Sequence, residues 1–411
     1  MLRRGNVAIT AALFWLWLCY SSVALAKTEN KTKPDAFPPN PLEITTPDPL
    51  LPGPVLYQPL NPLERLNLAA ALDELNQQAQ AKLNAGDRVG AFEIWNRELR
   101  LRRALGSLQE VEALGRVGAT AWSENQPKEV QIITQRLQAI QHPKKSQPAV
   151  DFKLLPALGL AYQQVRSPKQ ALEVYEQILQ QQRQQQDTAA QEVTLKTIAE
   201  LHLQWFEYSS SAATYEQLLK LARAKGDRVS EVTYLQQLAY IYDRAKQPQQ
   251  AVTIKQQLAE LYLNEKDFTQ VPALRLAIAS DYESLRQVEE AFRNYQEAYA
   301  SAWSLQQYYR AGEALRKLVA LYTSQGQINE ALQTSQILLE ADRRASNDYG
   351  MMNTYDQIGQ LYLQRGSYPE ALAAFQNGLQ LAQQLKYQEA YFAQQIQQVN
   401  QRISKQTSKG A

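Results

Sequence analysis

The chain has 411 residues, of which 43 are basic and 41 acidic, leaving a net charge of +2. That balance argues against a nucleic-acid-binding or membrane-surface protein, since either would carry a strong basic excess. Its single cysteine, Cys19, lies in the first thirty residues.

Residues 1–26 read as a secretory signal peptide. Arg3 and Arg4 supply the positive start, Ala8 to Leu18 the apolar run, and Ala24-Leu25-Ala26 a small-x-small cleavage site before Lys27. A retained membrane anchor is the alternative, but the apolar run is short for a span. Leu16-Trp17-Leu18 is a poor lipoprotein box ahead of Cys19. Cleavage after Ala26 leaves no cysteine, which excludes disulfides, thiol catalysis and cysteine metal sites. Residues 27–62 hold ten prolines, too many for a helix or a central strand. They predict an extended linker rich in polyproline II. It is either a tether or an arm that lays Leu50, Leu51, Val55, Leu56 and Tyr57 against the helices that follow.

From Leu63 onward the pattern is helical and repeats every forty residues. A small or modest residue recurs at Ala79, Ala119, Gly159, Ala199, Ala239, Ala279, Val319 and Gly359. Three residues later an aromatic follows at Trp122, Tyr162, Tyr242, Tyr282, Tyr322 and Tyr362, with Lys82 and His202 as exceptions. Nine further on stand Ala91, Gln131, Ala171, Ser211, Ala251, Ala291, Ala331 and Ala371. Eight units keep this register without an insertion, which predicts an α-solenoid. A coiled coil would not restart across the Gly, Pro and Asp breaks.

The best-defined unit contains Ile358 to Phe375. Gly366 stops its first helix. Ser367 and Glu370 have the spacing of a capping box for the second, and Pro369 falls harmlessly in the first turn. Small Gly359 and Ala371 mark the helix crossing. The second unit is eccentric: Gly115 and Gly118 sit inside its first helix, each costing about 1 kcal/mol relative to Ala, Gln131 replaces the crossing alanine, and the polar stretch 142–148 reads as a hinge or loop. Pro156 predicts a late start or a kink in the third. Helices of 15–18 residues are expected, and Tyr387 to Ser404 form one more. Its stripe of Tyr391, Ile396, Val399 and Ile403, backed by glutamines, makes it a cap, with residues 405–411 frayed.

A small residue, an aromatic three later, an alanine nine after that and then another aromatic four on resembles the tetratricopeptide repeat. Trp95, Tyr175, Tyr215, Tyr295 and Phe375 fill the last slot, whereas Lys255 and Ser335 do not. The usual repeat is about 34 residues, so these units are longer. The resemblance implies an all-α, right-handed solenoid of about eight 40-residue hairpins spanning 63–391. The units run 72–111, 112–151, 152–191, 192–231, 232–271, 272–311, 312–351 and 352–391, with the capping helix and tail at 392–411.

No catalytic or metal-binding constellation is legible. His142 and His202 are isolated, no phosphate loop or nucleophile elbow occurs, and the carboxylates sit at salt-bridge spacing. No cofactor is expected. In the resembling family the first helices line a concave groove for a peptide. Carrying its inward positions over gives Arg116, Lys153, Lys196, Gln236, Tyr240, Arg244, Arg316 and Gln360. The acids Asp73, Glu124, Glu200, Asp243, Glu283, Glu313 and Asp356 share that face, so the groove is mixed in charge. Glu200 stands where a carboxylate clamp would want Asn, so binding of a chaperone tail is not expected. The expected function is a non-catalytic scaffold for a protein or peptide partner, with no nucleic acid and with membrane contact only through an uncleaved N-terminus. The alternative is a membrane-tethered subunit that holds an envelope enzyme in place. The expected setting is a periplasm or thylakoid lumen, where similar cyanobacterial proteins assist assembly of membrane complexes.

Overall fold

The computed structural model describes residues 40–44, 46–51, 60–144 and 150–410. The signal-peptide reading and residues Val55, Leu56 and Tyr57 of the arm lie outside them, as does most of the predicted hinge. The described residues form seventeen α-helices joined by short turns, with no strand among them. No described helix is long and apolar enough to cross a membrane. The chain divides between Glu110 and Val111 into two compact units.

In the first unit, α1 (Pro62–Asn84) opens on a complete capping box. The Asn61 side chain accepts from the Glu64 amide at 2.9 Å, and Glu64 accepts from the Asn61 amide at 2.8 Å. Asp87 caps α2 (Arg88–Arg102) through the Gly90 amide. The two helices close on Leu68, Leu72, Leu75, Leu101 and Leu105. Trp95 is buried with them and donates its indole N–H to Asn76 at 2.9 Å.

Part of the proline-rich stretch docks on this pair. Leu42 is 1% exposed, and Leu50 and Leu51 pack against the leucine cluster. Asp48 is buried beneath Arg97 and Arg100, and Arg103 reaches Glu43 at 3.3 Å. Leu50 and Leu51 thus pack on this pair, and the anchors the sequence left unmarked are Leu42 and Asp48.

The second unit takes in α3 (Ser107–Ser123), whose first turn belongs to the first unit, and α4 (Pro127–Gln141). Then come α5 (Leu155–Gln164), α6 (Pro168–Gln184), α7 (Thr188–Gln204), α8 (Tyr208–Lys225), α9 (Arg228–Arg244) and α10 (Pro248–Asn264). The series continues with α11 (Val271–Ser284), α12 (Val288–Ser304), α13 (Tyr308–Ser324), α14 (Ile328–Arg344), α15 (Asp348–Arg365) and α16 (Tyr368–Leu385). It ends in α17 (Glu389–Gly410). From α4 onward each helix packs on the next, so apolar surface is buried between neighbours in the sequence. Pro156 delays the start of α5, which follows a 3-10 turn at Phe152–Leu154.

Beneath the forty-residue repeat lies a twenty-residue one. Positive φ occurs at Arg166, Gln186, Phe206, Gly226, Lys246, Lys266, Arg286, Gln306, Gly326, Ser346, Gly366 and Lys386, an unbroken step of twenty. Each ends a helix in the same way: the Arg166 amide donates to Gln163 C=O, and the Ser167 amide reaches back to Tyr162 C=O at 2.8 Å. At most of these turns the following residue is the N-cap of the next helix. Turns within a hairpin and turns between hairpins thus share one geometry, and most helices run 17 or 18 residues, roughly 25 Å.

Ala171, Ser211, Ala251, Ala291, Ala331 and Ala371 close their crossing slots to solvent at 0% exposure, whereas Gln131 is exposed. Serine fits at 211 because its hydroxyl donates to Ala199 C=O at 2.9 Å. Lys255, in an aromatic slot, is also buried. Its ammonium bridges Asp243 at 2.7 Å and Asp281 at 2.8 Å, tying α9 to α11. Gly115 lies against the Ala161 backbone of α5, where a Cβ would meet it at 3.1 Å, so the close approach accounts for the glycine.

Three expectations need correction. Ser367 occupies the N-cap of α16, but its side chain makes no capping bond. The final helix does not stop near Ser404; it continues to Gly410. Trp122 occupies the slot that buries Tyr162 and Tyr242, yet it is 53% exposed.

Candidate functional site

In the second unit the first helices of the hairpins, α3, α5, α7, α9, α11, α13 and α15, bury one side against the second helices. The opposite side keeps long side chains in water. On α7 this open stripe is Val193, Lys196, Glu200 and Gln204; on α9 it is Thr233, Gln236, Tyr240 and Arg244. Spacings of three and four place each set on one helical face.

The sequence-predicted lining residues divide into three groups. Lys196, Gln236, Tyr240 and Arg244 are exposed on adjacent first helices, and Tyr240 is 51% exposed. Gln236 is oriented by donating to the Tyr262 hydroxyl at 2.9 Å. Lys153 is exposed but lies on the 3-10 turn before α5, outside the helix, and Arg116 is half-buried on α3. Arg316 and Gln360 serve the fold itself. Arg316 donates to the fully buried Asp342 of α14 at 2.9 and 3.2 Å. Gln360 donates to Gln395 of α17 at 3.3 Å.

Most charges on this face are already paired. Asp243 holds Lys255, Glu283 accepts from the Tyr295 hydroxyl at 2.6 Å and from Lys317 at 3.1 Å, and Asp356 accepts from the Tyr391 hydroxyl at 2.9 Å. Burial pushes the Tyr295 hydroxyl well above its ordinary range, and pushes Tyr242 up to about 12. Both therefore stay protonated and act as fixed donors, Tyr242 to Glu216 at 2.8 Å. These tyrosines are posts of the core. Among the described residues, no group of three or more His, Cys, Asp or Glu is placed to hold a metal ion.

Two hollows open along the face. One, of 470 Å³, lies between α11 and α13 over Leu276, Ala277, Ser280, Glu313, Arg316 and Lys317. The other, of 420 Å³, is built on Trp122, Leu160 and Trp205, with Gln163, Gln164 and Gln204 among its walls. Sequence reasoning missed the second because it gave Trp122 the same repeat slot as Tyr162 and Tyr242. The available signal was Trp205-Phe206, an aromatic pair in a turn where the matching positions hold Ala245-Lys246 and Leu285-Arg286.

Residues 310–384, which cover nearly all of α13 to α16, match the tetratricopeptide repeat family. Among curated proteins, none matches the chain. Solved structures similar to it include BtubC (BKLC) from P. vanneervenii, at 17% identity and TM-score 0.37, covering 55% of this chain and 91% of that one. A signal transduction ATPase with numerous domains and a tetratricopeptide repeat sensor, from Pyrococcus horikoshii, aligns at 15% identity and TM-score 0.39. That alignment covers 84% of this chain and 53% of the ATPase. Aspartyl phosphate phosphatase F from Bacillus subtilis aligns at 14% identity and TM-score 0.39, covering 73% of this chain and 84% of that one.

Proposed function

We propose that the chain is a non-catalytic scaffold that holds a peptide or protein segment along its first-helix face, with Lys196, Gln236, Tyr240 and Arg244 as the contact residues. The observation that carries this reading is Tyr240. It is a large aromatic left in water on a rigid helix whose flanking residues Leu238, Ala239 and Ile241 are buried. Aromatic and arginine side chains are the usual anchors of protein interfaces, and here they stand on adjacent helices of a stack with tetratricopeptide repeats at one end. Asp243 and Glu283 are engaged within the fold, whereas Glu200 stays exposed beside Lys196, so recognition rests on the tyrosine ring, the Gln236 amide, two cations and one open carboxylate. It does not rest on a uniformly charged groove. Assembly of membrane or envelope complexes, in a periplasm or a thylakoid lumen, is the process this scaffold would serve.

The test is crosslinking and affinity capture from the native host, comparing the natural chain with a Lys196→Glu, Tyr240→Ala, Arg244→Glu variant. All three positions are exposed, so the melting temperature should not move. Loss of a specific partner, with its crosslinks mapping to α7 and α9, is the expected result. Capture of the same proteins by both forms would overturn the assignment.

A further inference from the structure

Trp122 departs from its own repeat position. Tyr162 in the same slot is 0% exposed, whereas Trp122 is 53% exposed and shares a cleft with Leu160, also 53%, and Trp205, 43%. Three large apolar side chains from α3, α5 and the end of α7 thus converge in water. The turn after Trp205 places Phe206 at φ 61°, a left-handed conformation that bulky side chains seldom adopt. The walls are amides, Gln163, Gln164 and Gln204, and Gln163 is held in place by donating to the Tyr175 hydroxyl at 2.7 Å. Among the described residues no carboxylate lines the cleft, and the one charged group there is Arg166.

A site of indole rings, amide groups and one cation fits an uncharged polyproline II segment preceded by an acid. Such a segment has no internal hydrogen bonds, so its carbonyls are free for amide donors, and its rings stack on aromatics. This chain carries a sequence of that composition. Ala36-Phe37-Pro38-Pro39 is uncharged, follows Asp35, and directly precedes Asn40. Docking of Leu42 and Asp48 on the first unit fixes where that stretch departs. Thirteen residues, the length from Lys27 to Pro39, span roughly 40 Å when a chain is in polyproline II form, at about 3.1 Å each.

We propose that the Trp122–Leu160–Trp205 cleft binds Ala36-Phe37-Pro38-Pro39 of a second copy of this chain, with Asp35 of that copy paired to Arg166. The inference rests on the reading of the first-helix face as a binding surface, and it assigns the end of that face away from Tyr240.

The probe is a synthetic peptide of residues 31–41, titrated calorimetrically into the full chain. Saturable binding is expected, weakened about tenfold or more by Trp122→Ala or Trp205→Ala, as for interface aromatics generally. Both side chains are half in water, so melting should be unchanged. An Arg166→Glu chain should lose the natural peptide and recover binding to one carrying Asp35→Lys. Sedimentation should show concentration-dependent dimers that vanish when residues 27–39 are deleted. Absence of binding, equal binding by both tryptophan variants, or equal binding of an unrelated proline-rich peptide would each overturn the proposal. The Lys196, Tyr240, Arg244 variant should bind the peptide normally, so this proposal and the scaffold reading fail separately.

Discussion

Arg97 donates to both oxygens of the Asp48 carboxylate, from Nε at 2.8 Å and Nη2 at 2.9 Å, and so ties the proline-rich stretch to α2. The same bonds hold the Asp48 carboxyl below its ordinary value. A depressed carboxylate contributes stability above its unfolded pKa, near 3.9, and loses it as the pH falls through the lower folded value. Asp48→Asn should therefore reduce unfolding stability by roughly 2 kcal/mol at neutral pH, the scale of a charge-assisted hydrogen bond. The gap between variant and natural chain should close below about pH 4. Urea unfolding from pH 7 to pH 2.5 measures it, and a gap that persists in acid would show that the ion pair is not what docks the arm.

Arg316 was expected to face a ligand, and its pairing with buried Asp342 gives it a different role. Asn347 also donates to that carboxylate at 2.8 Å, so Asp342 is the hub of a local network linking α13, α14 and the turn before α15. Removing the arginine leaves a buried charge short of its counter-ion. Arg316→Ala should cost about 3 kcal/mol, the lower end for a broken buried pair because the arginine is partly exposed. Lys196→Ala should fall within about 0.5 kcal/mol of zero, as exposed positions usually do. Parallel denaturant curves decide this, and equal effects of the two variants would return Arg316 to the solvent-facing surface.

This contrast marks what could be read without coordinates. Periodicity carries the fold, because helix length, small crossing residues and apolar slots all recur at fixed steps. Tyr240 and Lys196 were legible for the same reason: a helical face follows from spacing. Pairings across helices were not. Lys255 bridging two acids, Gln360 reaching α17 and Arg316 reaching α14 depend on which polar side chains meet once hairpins have stacked, and residue type alone does not choose among neighbours. Trp122 misled because an aromatic in a core slot is indistinguishable from its buried counterparts until its packing is seen. Asp48 and Leu42 lie in a stretch whose prolines mask any periodic signal.

Gly359 and Phe375 show how little room the hairpin crossing leaves. A Cβ on Gly359 would lie 2.6 Å from the ring of Phe375, which is fully buried between α15 and α16. The ring has no solvent to retreat into, so Gly359→Ala should destabilise by about 1–3 kcal/mol despite the better helix propensity of alanine. Gly359→Ala combined with Phe375→Leu should recover part of the loss, since the smaller side chain vacates the ring's edge. Thermal melts of the single and double variants form the check, and a neutral single variant would mean the two helices slide apart at little cost.

The twenty-residue turn makes the last prediction. Of the twelve helix ends in the series from Arg166 to Lys386, Gly226, Gly326 and Gly366 are glycine; the other nine force a side chain into the left-handed region. That region disfavours residues with a Cβ by about 1–2 kcal/mol, while glycine loses roughly 0.5–1 kcal/mol more chain entropy on ordering. The difference favours glycine slightly. Arg286→Gly and Gln306→Gly should each stabilise by about 0.5 kcal/mol, and Gly226→Ala should destabilise by about 1 kcal/mol. Because positions 286 and 306 terminate successive helices without touching one another's turn, the two gains should add. Chemical denaturation of the single variants and the pair measures this. Losses at both positions would mean that side-chain contacts at the turns, and not backbone geometry, set the step of twenty.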